Sequence, residues 1–155
     1  MKEIDIRLAK KQDLPILNRL YADMDERSLM SDKEITAIWN QIEQVPNHYI
    51  YLAYLEDKEI GTFSLLFMPT MMHQGFHRSA ILDSVTIATA YRRQGFGKQM
   101  MQKALKVSVD AGCYKVTLSS NLKRDRAHKF YESLGFKQHG WSFSYQISTK
   151  QDGEC

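Results

Sequence analysis

Residues 92–98 put three cations, Arg92, Arg93 and Lys98, around two glycines, Gly95 and Gly97. The segment lies between an alternating apolar run that ends at Ile87 and a run of helical period that begins near Gly97. Bare backbone lets an anion approach closely. The first amides of a helix point at such an anion, and the helix dipole favours it. This is the chemistry of a pyrophosphate cradle without a metal. A phosphate loop with a magnesium-binding hydroxyl is excluded, because Gln99 follows Gly97-Lys98. A dinucleotide fingerprint is excluded because Met100 stands where its third glycine or alanine belongs. A second basic group, Lys123, Arg124, Arg126 and His128, gathers at the start of another helix. Each cation there opposes the dipole by about 0.3–1 kcal/mol, which Asp125 only partly offsets. A bound anion removes that conflict.

The elements that must position these residues follow from periodicity and punctuation. Ile4, Ile6 and Leu8 alternate as an edge-type strand. Asp13 is expected to cap a helix with Pro15 in its first turn, and Ser31 with Glu34 forms a capping-box pattern for a second helix over 32–44. Strands are expected at 48–55, 60–68 and 80–87, with a turn at "EDKE" and a loop, "PTMMHQGFHR", over 69–78. A helix over 97–111 stopped by Gly112, a strand at 114–119, and a helix over 125–134 closed by Gly135 come next. Two closing strands are expected at 136–138 and 141–147. The order β-α-α-β-β-β-α-β-α-β-β implies an α/β fold with a mixed sheet and helices on both faces. Residues 1–148 read as a single domain and 149–155 as a polar tail.

The bulk numbers narrow the class. The chain has 155 residues, 43% hydrophobic and 25% charged, which is ordinary for one soluble globular domain. A formal charge of +3 does not argue for nucleic acid. The basic residues lie at two turns, with no interleaved aromatics, so no nucleic-acid partner is expected. The start of the chain is charged from Lys2, which reads as no signal peptide, and no apolar run approaches the length of a membrane span. Cys113 and Cys155 have neither metal nor redox spacing, so they read as reduced thiols and the expected location is the cytoplasm.

"ILDSVTIATAY", then Arg-x-x-Gly-x-Gly at Arg92 to Gly97, then "RAHKFYESLGF" at 126–136, resembles the GCN5-related N-acetyltransferase (GNAT) family. The resemblance implies the GNAT fold, with a splayed central sheet, and acetyl-CoA as acetyl donor. The pyrophosphate would then sit on Arg92, Arg93, Gln94, Gly95, Phe96, Gly97 and Lys98. The pantetheine arm would pair like an extra strand with Val85, Thr86 and Ile87, at an edge that a strand bulge can open. Tyr131 would be the general acid for the leaving thiolate, and a backbone amide near 85–87 would hold the oxyanion. Asp83 would be the base or the amine-binding carboxylate, with Ser84 orienting the substrate. His73 and His77 would border the acceptor. Either Asn121 or Arg124 would meet the cofactor. The cluster at 123–126 would serve the 3′-phosphate of CoA, or a phosphate or phosphonate on the acceptor. "GCYK" and "YESLGF" look most like members acting on aminoalkylphosphonates or glucosamine 6-phosphate.

These expectations add up to acetyl transfer to the primary amine of a small molecule, by direct attack in a ternary complex. Two alternatives stand beside it. One is acetylation of a peptide or protein, which requires an open groove. The other is a non-catalytic acyl-CoA-binding protein, against which the presence of Tyr131 beside a complete glycine segment counts. A homodimer is expected through the aromatic segment 141–147, and no metal is expected.

Overall fold

A computed structural model describes residues 2–147. The chain divides into two compact units, one ending at Leu118 and the other beginning at Ser119.

In the first unit β1 (Asp5–Leu8), β2 (His48–Leu55), β3 (Lys58–His73), β4 (Phe76–Ile87) and β5 (Val116–Thr117) form one sheet in sequence order. All neighbours pair antiparallel except β4 and β5. Helix α1 (Leu14–Asp25) carries Pro15 in its first turn and ends at Glu26, whose φ is 53°. Helix α2 (Asp32–Ile42) is capped as its sequence dictates, with Ser31 Oγ accepting from the Glu34 N–H at 3.2 Å. Asp13 behaves differently from expectation. Its side chain does not cap α1; it is buried, takes both guanidinium nitrogens of Arg7 at 2.9 Å, and accepts the Lys10 N–H. A charged partner one strand away outcompetes the local amide.

Leu14, Leu17 and Leu20 of α1 and Ile35 and Trp39 of α2 form a buried cluster with Ile50 and Leu52 of β2. Fully burying such side chains contributes about 1.5–3 kcal/mol each. Helix α3 (Phe96–Asp110) also packs on the sheet and buries Phe96, Met100, Met101 and Ala104. Gly61 allows the close approach. A Cβ there would lie 2.7 Å from both Ile87 Cδ1 and the Thr86 carbonyl, and 3.1 Å from Met100 Sδ.

The expected loop at 69–78 is instead the tip of the β3–β4 hairpin, which turns at Gly75 (φ 80°). Pro69 suggested a break, yet it pairs opposite Arg78. The pairing of β3 with β2 ends at Leu66, so a proline beyond it stands on an edge and costs no ladder hydrogen bond.

In the second unit α4 (Asp125–Ser133) is followed by Gly135 at φ 90°. The two expected closing strands, 136–138 and 141–147, are not formed among the described residues. Trp141, Phe143, Tyr145 and Ile147 alternate as a strand should, but a strand needs a partner for its backbone groups, and alternation cannot supply one. The α/β mixed-sheet class stands without them.

Candidate active site

The pairing of β4 with β5 is confined to two residues, Ala80 opposite Val116 and Ile81 opposite Thr117. Beyond Ile81, β4 keeps β3 on one side only, so its other edge is open from Leu82 to Ile87 among the described residues. The register across β3 and β4 also slips there. Thr62 faces Thr86 and Ser64 faces Asp83, so two steps on β3 match three on β4. The extra residue makes a bulge at Ser84, whose φ is 50°. Val85, Thr86 and Ile87 thus lie on an edge that has no strand partner among the described residues.

Asp83 enters the bulge exposed, on the α1–α2 side of the sheet. Its carbonyl accepts from the buried Ser64 Oγ at 3.1 Å, and its carboxylate accepts the Ser84 N–H at 2.7 Å. These bonds fix the carboxylate and leave its second oxygen unbonded among the described residues. Tyr21 of α1 also belongs to this group, a residue the sequence analysis does not single out. Burial pushes its phenol up; hydrogen bonding to Thr62 opposes this, and the charge of Asp83 adds to it. Thr62 Oγ1 donates its own proton to the Tyr51 carbonyl at 2.8 Å. Thr62 and Ser64, hydroxyls alternating with apolar residues on β3, were the available signal.

After Ile87 the chain makes a short 3-10 turn, Thr89–Tyr91, and reaches α3 through Arg93 (φ 62°) and the N-cap Gly95 (φ 84°). Gly95 has no side chain to cap the helix, and the first amides of a helix have no intrahelical partner. The amides of Phe96, Gly97 and Lys98 are therefore presented outward. The Phe96 ring faces inward, 6% exposed and 6.5 Å from the Tyr91 ring, so only its backbone is available to a ligand. Arg93 and Lys98 are exposed. Gln94 donates to the Ala90 carbonyl at 3.1 Å. Arg92 is engaged: its Nε donates to the Ile87 carbonyl at 2.7 Å and its Nη2 to Asp23 at 3.3 Å. Gln99 ties the same helix start to the segment before β1, accepting the Ile4 N–H at 3.0 Å and donating to the Lys2 carbonyl at 2.9 Å.

His73 and His77 lie at the hairpin tip. Six residues separate His77 from Asp83 along β4, roughly 20 Å of strand. The structure does not bring the histidines to Asp83 and Ser84.

Within the second unit, Asn121 Oδ1 accepts the Lys123 N–H at 2.9 Å. His128 Nε2 lies 2.9 Å from the Asn121 carbonyl, which can only accept, so that nitrogen carries the proton. Lys123, Arg124 and Arg126 are exposed and make no ion pair among the described residues. Tyr131 is half-buried between Phe130 and Phe136, with ring centroids at 5.5 and 6.0 Å. Among the described residues no cluster of three metal-ligating side chains occurs, and no helix is long and apolar enough to cross a membrane.

An open strand edge leading into an uncapped helix N-terminus suits a ligand that is part amide chain and part pyrophosphate, and acetyl-CoA is both. Comparison with known proteins points the same way. The chain is 30% identical over 77 residues to the N-alpha-acetyltransferase 30 of Xenopus laevis, covering 50% of this chain and only 28% of that protein. It is 28% identical over 99 residues to the aminoalkylphosphonate N-acetyltransferase of Salmonella typhimurium, covering 64% and 63% of the two chains. Its fold matches a solved putative acetyltransferase from Agrobacterium tumefaciens with a TM-score of 0.84, at 28% identity over 92% of this chain and 99% of that one. The model of the acetyltransferase (GNAT) family matches residues 15–136, across both units, and the chain belongs to that family.

Proposed function

We propose that this chain is an N-acetyltransferase that moves an acetyl group from acetyl-CoA to the primary amine of a small molecule. The observation that carries the reading is the continuity of the open β4 edge at 85–87 with the uncapped start of α3. Acetyl-CoA supplies an activated thioester. The amides of 93–98, with Arg93 and Lys98 beside them, hold its pyrophosphate. Val85, Thr86 and Ile87 pair with its pantetheine arm, and an amide of this stretch holds the oxyanion. The fixed carboxylate of Asp83 holds the acceptor ammonium and takes its proton, directly or through water, with Ser84 beside it. The amine nitrogen then forms its bond to the acetyl carbon and loses its second proton to water, the carbon–sulfur bond breaks, and Tyr131 gives its proton to the sulfur and regains one from solvent. Asn121 has its side-chain oxygen committed to Lys123, so its amide nitrogen is the atom free for the cofactor.

A phosphonate or phosphate on the acceptor is the favoured substrate feature. The cations Lys123, Arg124 and Arg126, unpaired among the described residues, support it, as does similarity to a protein named for aminoalkylphosphonate acetylation. A peptide N-terminus is the second reading, favoured by the similarity to N-alpha-acetyltransferase 30. Thiol release from acetyl-CoA with 2-aminoethylphosphonate, matched neutral amines and short peptides separates them. Turnover confined to the phosphonate supports the first reading, and turnover confined to peptides replaces it. We also propose a homodimer in which the exposed stripe Trp141, Phe143, Tyr145 and Ile147 gains a strand partner. A monomeric mass by light scattering contradicts it.

A further inference from the structure

Asp23, near the end of α1, accepts three donors from the segment that joins β4 to α3. The Thr89 N–H reaches it at 2.9 Å, Thr89 Oγ1 at 3.0 Å and Arg92 Nη2 at 3.3 Å. Arg92 is held from the other side as well, through its Nε on the Ile87 carbonyl at 2.7 Å. The guanidinium thus bridges the last residue of β4 and the side of α1. Its charge is spent on this bridge, not directed at a ligand.

The segment needs such a tie. The turn borders a solvent-open pocket of about 330 Å3, with Asp23, Ala88, Thr89 and Tyr91 in its lining. Thr89 and Ala90 are exposed, so apolar packing does little to seat them. The following backbone is strained: Arg93, with a Cβ, sits at φ 62°. Non-glycine residues stay in that region only where their surroundings over-determine it.

We infer that Asp23 is a positioning residue for acetyl-CoA binding: it clamps the turn 89–92 from α1 so that the amides beginning at Arg93 hold the shape that receives the pyrophosphate. Asp23 touches no ligand. It acts through Thr89 and Arg92, and the inference rests on the proposed cradle at 93–98.

The test is calorimetric titration of the full chain with acetyl-CoA, for the wild type, Asp23→Ala, Asp23→Asn, Arg92→Ala, the Asp23→Ala/Arg92→Ala double variant and Gly97→Trp. Asp23→Ala should weaken binding about ten- to a hundredfold, the size of a lost charge-assisted hydrogen bond, at unchanged stoichiometry. Asp23→Asn keeps an acceptor for the Thr89 N–H and should lose less. The double variant should lose clearly less than the sum of the single losses. A merely structural role would lower the binding-competent fraction and the melting temperature while leaving the Kd of that fraction alone, and this overturns the clamp. So does tighter binding by Asp23→Ala, which would mean that the freed Arg92 grips phosphate itself. Gly97→Trp separates the two claims. If it binds normally, the cradle is wrong; if it fails to bind while Asp23→Ala binds normally, only the clamp is wrong.

Discussion

Ser64 Oγ donates to the carbonyl of Asp83 across the β3–β4 slip, at 3.1 Å. The bond spans the point where two residues of β3 face three of β4. It anchors the residue before the bulge, and the Ser84 N–H then orients the carboxylate. Asp83→Asn keeps this geometry and removes the charge. Turnover of an amine substrate should fall about a hundredfold or more, as for a lost general base, while the acetyl-CoA Kd stays unchanged. Steady-state rates beside a direct titration check this; unchanged turnover would remove Asp83 from the chemistry.

Tyr131→Phe removes one hydroxyl from a half-buried ring held between Phe130 and Phe136. The ring packing survives, so stability should change little. Turnover should fall about a hundredfold with acetyl-CoA affinity nearly intact. A loss confined to affinity would make Tyr131 a binding residue.

Many residues of the candidate site can be named from the sequence, and the contacts that cannot share a cause. Gly95 announces the helix start because its left-handed backbone, φ 84°, favours glycine. Ser31 announces α2 because its partner is three residues away. Asp83 is visible, yet its anchor Ser64 is 19 positions distant and chosen by the sheet register. Asp23 is farther still from Thr89 in sequence, so nothing local marks α1 as the partner of the 89–92 turn. Arg92 reads from sequence as a phosphate ligand because its neighbours are cations and glycines; the carboxylate that claims it comes from another element. The closing segment 141–147 shows the limit from the other side, where a correct period-two pattern does not produce a strand.

Gly61→Ala tests the approach of α3 to the sheet. The new methyl would meet the Thr86 carbonyl at 2.7 Å, and backbone cannot swing away as a side chain can. The variant should lose about 1–3 kcal/mol in urea unfolding, because overpacking forces shifts in a filled core. A stability equal to wild type would mean that α3 and β4 adjust freely at this point.

Asp13 makes stability fall in acid. Its hydrogen bonds to the Arg7 guanidinium, more than any other cause, hold its carboxyl below the usual range. A depressed folded pKa means that the stabilisation is fully present above the unfolded value near 4 and is lost as pH drops through the folded one. Asp13→Asn should therefore be less stable than wild type at pH 7 by about 1–3 kcal/mol, with the gap closing below pH ~4. Urea unfolding of both proteins at pH 7 and pH 3 checks this; a gap as large at pH 3 as at pH 7 assigns the loss to packing.

The most direct test of the central claim is amine-dependent thiol release from acetyl-CoA by the wild type and by Gly97→Trp, whose indole would occupy the space above the α3 amides. The account predicts steady release with a primary amine present, little without it, and none from the variant at any acetyl-CoA concentration reached. Equal release by both proteins would contradict the placement of the cofactor on 93–98. No binding of acetyl-CoA by the folded wild type would contradict the function itself.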